Sequence, residues 1–347
     1  MIELPYPDTI DDVEKLEELL TRPTPAAVDA LSRVDGDVLV LGVAGKMGPT
    51  VARMAKRASD GAGVRRRVIG VSRFSSAEGR RRLESQGVET IQGDLLDPAF
   101  VDGLPGAPNV VFMAGMKFGA TGNEPLTWAM NVWVPSLVCQ KFRRSRIVAY
   151  STGNVYGLVS SGSGGSVETD VPNPAGEYAI SCLGRERMFH YFSQTLGTAA
   201  VLVRLNYAIE MRYGVLVDLA RKVHEGQAID LGMGYVNVIW QGDAAAMSLA
   251  ALVDAASPAL VLNVAGPEIL RVRTVCERFG ELLGKPVRFV GVESADALLS
   301  NGQEACRRYG PPRVSVDLLM RWIAHWVRRG GPSLGKPTHF EVRDGKF

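Results

Sequence analysis

The sequence predicts an α/β protein: a doubly wound parallel sheet wrapped by helices, followed by a smaller C-terminal α/β lobe. Three observations predict it. Apolar, β-branched runs alternate with helix-length segments between residues 37 and 205, as they do when parallel strands are joined by crossover helices. Two of these runs, Val38-Leu39-Val40-Leu41 and Ile147-Val148-Ala149-Tyr150, are continuously apolar, the pattern of strands covered on both faces near the centre of a sheet. The first run passes directly into Gly42-Val43-Ala44-Gly45-Lys46-Met47-Gly48 and then into the helical segment Val51-Ala52-Arg53-Met54-Ala55, a strand, turn and helix suited to holding phosphate.

Taken in order, residues 1–35 read as an acidic helical extension. Val13, Leu16, Leu19 and Leu20 fall at helical spacing, and Pro23 and Pro25 are expected to end the helix, so that this segment precedes the catalytic fold. Strands are expected at 37–42, 67–72, 88–92, 109–113, 146–151 and 199–205, which makes residues 36–205 a dinucleotide-binding domain. Beyond Asn206 the pattern changes to a helix at 215–225, a strand at 236–240, a helix from Asp243, a strand at 261–264 and a helix at 274–283. Residues 206–330 are therefore expected to form a substrate lobe, interleaved with the first domain and closing over the carboxyl edge of its sheet. The Gly- and Pro-containing segment 331–347 reads as an arm packed on a surface.

Composition narrows the function classes. The 347 residues carry a formal charge of +2 with 22% charged residues, and no long basic run suggests nucleic acid. Cys139, Cys182, Cys276 and Cys306 form no CxxC pair, and His190, His224, His325 and His339 show no metal-ligand spacing, so no metal is expected. The start lacks the pattern of a secretory signal. The most apolar stretch, 244–265, is broken by Asp254 and Pro258, which argues against a membrane span. A cytoplasmic enzyme with a small-molecule substrate is expected, with no nucleic-acid or membrane partner; a homodimer is compatible with this reading.

The glycine-rich loop carries the strongest motif. Gly42, Gly45 and Gly48 let the backbone turn tightly, admit a pyrophosphate and bring helix and strand close, and Lys46 and Met47 lie in the same cofactor-binding turn. The second strand ends in Ser72-Arg73, where an NAD-specific fold would place an acidic residue on the ribose. An Arg there pairs with a 2′-phosphate, so NADP is favoured over NAD, the alternative being one more solvated charge in an Arg-rich region. Asp94-Leu95 follows the third strand beside the expected adenine pocket, and Ala114-Gly115-Met116-Lys117 follows the fourth.

These motifs, with Asn131, Ser151-Thr152-Gly153-Asn154-Val155-Tyr156-Gly157, Pro174-x-x-x-Tyr178, Arg204-Leu205-Asn206-Tyr207 and Asp243, resemble the NAD(P)-dependent epimerase/dehydratase family, the extended short-chain dehydrogenases, from about residue 38 to residue 268. The resemblance implies a Rossmann-type domain in which Ser151, Tyr178 and Cys182 lie beside the cofactor. It also implies that Thr152 polarises the reacting oxygen and Tyr178 is the acid/base. Thr152 and Asn154, with Asn206, Tyr207, Arg212 and Tyr213 after the last strand, are the expected substrate contacts.

Two departures stand out. Dehydratases of the family carry Asp-Glu where this chain has Gly153-Asn154, which disfavours elimination of water. The lysine that the family places four residues after the catalytic Tyr is here Cys182. Residues four apart share a helix face, so that lysine lowers the phenol's pKa, and a thiol supplies no fixed charge. Lys117, in a segment similar to one that carries a cofactor-proximal Lys in epimerases of the family, is the first candidate for the missing cation. Arg185 is the second, although an ion pair with Glu186 or a solvated face is its simpler role. The expected activity is hydride transfer by an oxidoreductase or epimerase on a carbohydrate, sugar acid or nucleotide sugar. The rival reading is a dinucleotide-binding sensor or assembly subunit without turnover.

Overall fold

The computed structural model describes residues 5–117, 119, 122–336 and 338–345. Its centre is a sheet of seven strands: β1 (Val38–Leu41), β2 (Val68–Ser72), β3 (Glu89–Gln92), β4 (Asn109–Phe112), β5 (Arg146–Thr152), β6 (Ala199–Leu205) and β7 (Leu260–Val264). They lie in the order β3-β2-β1-β4-β5-β6-β7, and every neighbouring pair is parallel. The direction of winding reverses between β1 and β4. Ligands of open α/β sheets bind in the crevice beyond the strand ends at such a point.

β1, β4 and most of β5 are buried on both faces, which accounts for their unbroken apolar sequences. Helix Gly48–Gly61 buries Val51, Met54, Ala55 and Ala58, an i, i+3, i+4 stripe that seats it on the sheet. The long helix Gly176–Leu196 buries Ala179, Cys182, Glu186, Phe189 and Ser193, again a 3–4 spacing, and Phe189 meets Phe112 of β4 edge to face with ring centroids 5.5 Å apart. It ends at Gly197 in the left-handed conformation, φ 71°, a common helix stop.

Three expectations are corrected. Pro25 does not end a helix but begins one, Pro25–Arg33, where Thr24 caps Ala27 N; at the first helical positions proline forfeits no hydrogen bond. Its Ala27, Ala30 and Leu31 join the core formed by Val40, Val51, Ala55 and the helix Gln241–Ala250, while Leu16, Leu19 and Leu20 of helix Val13–Leu20 pack with Trp240 and Trp322. The N-terminal segment is thus part of the folded body. The strand expected at 236–240 is divided: Tyr235–Val236 pairs with Leu270–Arg271, and Ile239–Trp240 pairs with Ala208–Ile209. The strand expected at 261–264 is β7, which joins the main sheet beside β6 rather than the second lobe.

The second lobe packs helices Val215–His224, Val272–Leu283 and Val316–Arg328 around Phe279, Trp240 and Trp322. The C-terminal segment lies along this lobe. Leu334 N donates to Arg212 O at 3.1 Å, Thr338 donates to the Asp218 carboxylate from its amide and hydroxyl at 2.8 and 2.6 Å, and Arg343 pairs with Asp296 at 2.6 Å. At its far end Gly345 meets Gly176, both at positive φ, so closely that a Cβ on Gly176 would fall 2.2 Å from Gly345 O. Among the described residues, no helix is long and apolar enough to cross a membrane.

Candidate active site

The three loop glycines have separable roles. A Cβ on Gly42, at φ 88°, would lie 2.7 Å from Ala114 N, so only glycine lets β1 turn this close to the end of β4. One on Gly48 would lie 2.2 Å from Val43 O, so glycine is what lets the helix start against the strand. A Cβ on Gly45 meets only Gly42 O, at 3.3 Å, and otherwise faces the crevice. Two cavities meet at this loop, sharing Gly42, Gly45 and Met113. The loop therefore offers an open cradle at a helix N-terminus, which fits the diphosphate of a dinucleotide.

The first cavity, about 470 Å³, is walled by Ser72, Arg73, Phe74, Asp94, Leu95, Ala114 and Gly115, the residues expected around adenosine. Arg73 is exposed at its rim. The second, about 240 Å³, brings together Lys46, Met47, Gly48, Lys117, Ser151, Thr152, Asn154, Tyr178, Asn206, Tyr207 and Tyr213. They come from the loop, the segment after β4, the end of β5, the long helix and the second lobe.

Within it, Thr152 Oγ1 donates to Asn154 Oδ1 at 2.9 Å and accepts from Asn154 N at 3.2 Å. Thr152 and Tyr178 line this cavity together. Burial pushes the Tyr178 phenol well above its usual range, and Arg185 opposes it. The Lys117 ammonium lies 5.7 Å from the Tyr178 ring centroid, and burial lowers its pKa. Asn131 sets the height of this lysine's loop: it accepts from Met116 N at 2.9 Å and donates to Met116 O at 3.1 Å and Ser181 Oγ at 2.9 Å. It sits in a π-helical turn, Ala129–Trp133, a feature that often marks functional sites.

Cys182 lines neither cavity. It is fully buried against Val155 and Tyr156 and touches Tyr178, and burial raises its thiol pKa, so it stays a neutral packing group and not a wall of the cofactor site. Arg185 is neither solvated nor paired with Glu186, but its charge does lower the Tyr178 pKa. Its guanidinium lies under Gly115, donating to Tyr150 O at 2.7 Å and Asn131 Oδ1 at 2.6 Å. Glu186 pairs instead with Arg204 at 2.7 Å, both nearly sealed from solvent, and accepts from Ser151 Oγ at 2.6 Å. Arg212 is turned away from the second cavity by Glu210 and Glu17, at 3.0 and 3.2 Å. Asp243 is structural, accepting Arg313 N and Val314 N at 2.9 and 3.1 Å.

Asn206 donates to Asn237 Oδ1 at 2.9 Å, and Asn237 donates to Gly266 O and Ser300 O at 2.9 and 2.7 Å, which fixes the floor between the lobes. Two features escape the sequence patterns. Thr338 of the C-terminal arm reaches the cavity wall, for which the sequence holds no signal. Lys46 sends its side chain across to the second lobe, where Nζ donates to Ala208 O at 2.9 Å; the only hint is a basic residue inside a glycine-rich turn.

A model of the NAD dependent epimerase/dehydratase family matches residues 38–265. No curated protein matches the chain. Among solved structures, UDP-glucose 4-epimerase of Thermus thermophilus, complexed with NAD, is 21% identical with a TM-score of 0.67, over 84% of this chain and 99% of that one. UDP-glucuronic acid 4-epimerase of Bacillus cereus, in complex with NAD, is 18% identical with a TM-score of 0.69, over 84% and 99%. dTDP-glucose 4,6-dehydratase of Bacillus anthracis, in complex with NAD, is 15% identical with a TM-score of 0.70, over 85% and 97%. At such identities the likeness is one of fold. With the glycine cradle, the Thr152–Tyr178 pair and a family match spanning the whole of the parallel sheet, the chain belongs to the NAD dependent epimerase/dehydratase family and is an enzyme of that family.

Proposed function

We propose that the protein transfers hydride between a carbinol carbon of a carbohydrate and a nicotinamide dinucleotide, as an oxidoreductase or epimerase. The observation that carries this is that Thr152 and Tyr178 share a cavity with the glycine cradle. The bound nicotinamide supplies the hydride acceptor. Tyr178 takes the hydroxyl proton as the carbonyl forms, and Thr152 holds the oxygen on which charge develops. Lys117 supplies the field that the family draws from the lysine replaced by Cys182. Incubation of the loaded protein with a panel of sugars, sugar acids and nucleotide sugars, followed by nicotinamide absorbance, tests the reading. Absence of any reduction or epimerised product would favour a dinucleotide-binding subunit without turnover, the reading that the neutral, buried Cys182 supports.

Two further assignments belong to this proposal. Gly42, Gly45, Met47 and Gly48 hold the diphosphate, with Ser72, Arg73, Asp94 and Leu95 around the adenosine, whereas the Lys46 side chain is carried across to Ala208 O. Arg73 gives a preference for NADP, although the solved relatives above were determined with NAD. Arg73→Ala is expected to weaken NADP about tenfold or more while NAD changes little; equal losses for both cofactors in a fluorescence titration would make Arg73 an ordinary surface charge.

A further inference from the structure

The cavity around Tyr178 is lined by two lysines, Lys46 and Lys117, and by no carboxylate among the described residues. Lys46 is placed unlike a phosphate-holding group. Diphosphate at this loop is served by backbone N–H groups at the start of helix Gly48–Gly61, whereas the Lys46 ammonium is carried away from them, 2.9 Å from Ala208 O and 4.0 Å from the Tyr213 ring centroid. Ala208 O is its one hydrogen-bond partner among the described residues, and an ammonium has three donors. Glu210 lies within its field but is buried and engaged by Arg212 through two groups, at 2.8 and 3.0 Å, and makes no ion pair with Lys46 among the described residues. The positive charge is therefore anchored on the second lobe and aimed at whatever lies between the lobes.

We propose that Lys46, with Lys117 opposite, recognises a carboxylate on the substrate, so that the site selects a sugar acid over the corresponding neutral sugar. This rests on the carbohydrate reading above and adds the substrate class to it. The carboxylate lies against Lys46 Nζ while the reacting carbinol meets Thr152 and Tyr178. A buried cation without a paired anion is costly, and a carboxylate ligand relieves that cost where a hydroxyl does not. The groups facing Lys46 make the recognition pH-dependent. Burial brings its amine down to about 7, Glu210 raises it, and Lys117 and Arg212 lower it. Tyr213, whose phenol burial pushes up to about 12, stays neutral. Binding of the anion is thus strongest below neutrality and weakens by up to about tenfold per pH unit above 7, where the free lysine has lost its proton.

The test is calorimetric titration of the dinucleotide-loaded protein with D-glucuronate, D-glucose, UDP-glucuronic acid, UDP-glucose and glucose 6-phosphate, at about pH 6 and about pH 9. Each acid is expected to bind at least about tenfold more tightly than its neutral counterpart at the lower pH, with the difference shrinking at the higher. Lys46→Gln, which keeps a donor for Ala208 O, is expected to abolish the preference while cofactor Kd changes less than about threefold; Lys46→Arg is expected to keep the preference at both pH values. Equal binding of acid and neutral sugar overturns the proposal. So does a preference confined to glucose 6-phosphate, or a Lys46→Gln variant that loses the cofactor and keeps the preference. Tyr178→Phe separates the two readings: it must abolish nicotinamide reduction and leave the acid preference intact. Acid preference without any turnover in the native protein sinks the hydride-transfer reading alone, turnover without acid preference sinks this inference alone, and binding of none of the five probes sinks both.

Discussion

Tyr178 is asked to give up a proton in surroundings that hold the proton on. Burial raises its phenol, so the cations near it govern its pH dependence. Lys117→Met removes one of them. Loss of a nearby positive charge raises the pKa of a group that becomes an anion, so turnover near neutral pH should fall by about tenfold or more and the basic limb of the pH–rate profile should move upward. Cys182→Ala removes only a packing atom and should change kcat by less than about twofold. The reverse pattern, a silent Lys117→Met and an inactive Cys182→Ala, would return the thiol to the chemistry. At this scale the sequence revealed the exchange of lysine for cysteine but not its consequence. Where Arg185 goes depends on Gly115 and Asn131, which are distant in the chain, and no spacing rule reports that a guanidinium will be used as a strut beneath a loop.

Single elements make sharper tests because their close contacts differ atom by atom. Gly45→Val and Gly48→Ala alter the same loop with opposite expected outcomes. The valine projects into the open cradle and should abolish dinucleotide binding while the Tm stays within a few degrees. The alanine drives a Cβ toward Val43 O, 2.2 Å away, and should cost about 1–3 kcal/mol of stability in urea. Equal behaviour of the two would reject the division of labour among the glycines. Behind the long helix, Glu186→Ala strands the Arg204 guanidinium in a nearly sealed site, and urea denaturation should show a loss of about 3–5 kcal/mol. Strands β1 to β6 were legible to within a residue or two because continuous apolar runs flanked by polar turns admit few other placements. Pro25 and residues 236–240 were misread because a proline can open a helix as well as close one, and because the split at Asn237 is decided by its hydrogen bonds to Gly266 and Ser300.

For the molecule as a whole, the arm is the part that local pattern could place only as far as a surface. Thr338 lines the cavity while its hydroxyl and amide hold Asp218. Thr338→Ala should loosen that grip, raising KM by about three- to tenfold with kcat within about twofold, since the arm walls the cavity without touching the reacting pair; an unchanged KM would make the arm mere cladding. The alternation of strands and helices foretold the sheet and an interleaved second lobe, but not that β7 would close the sheet, because the edge on which a strand adds is settled by long-range packing. That β7 does so has a mechanical consequence. The chain leaves the sheet for the lobe after Leu205 and again after Val264, and the two exits are tied side by side, Asn206 N donating to Val264 O at 3.0 Å. The chain also passes between the two cores from Leu20 to Ala27 and from Trp240 to Ala244, so the lobe is stitched to the sheet at several places, and the cavity floor at Asn206 is the seam where two of those stitches lie side by side.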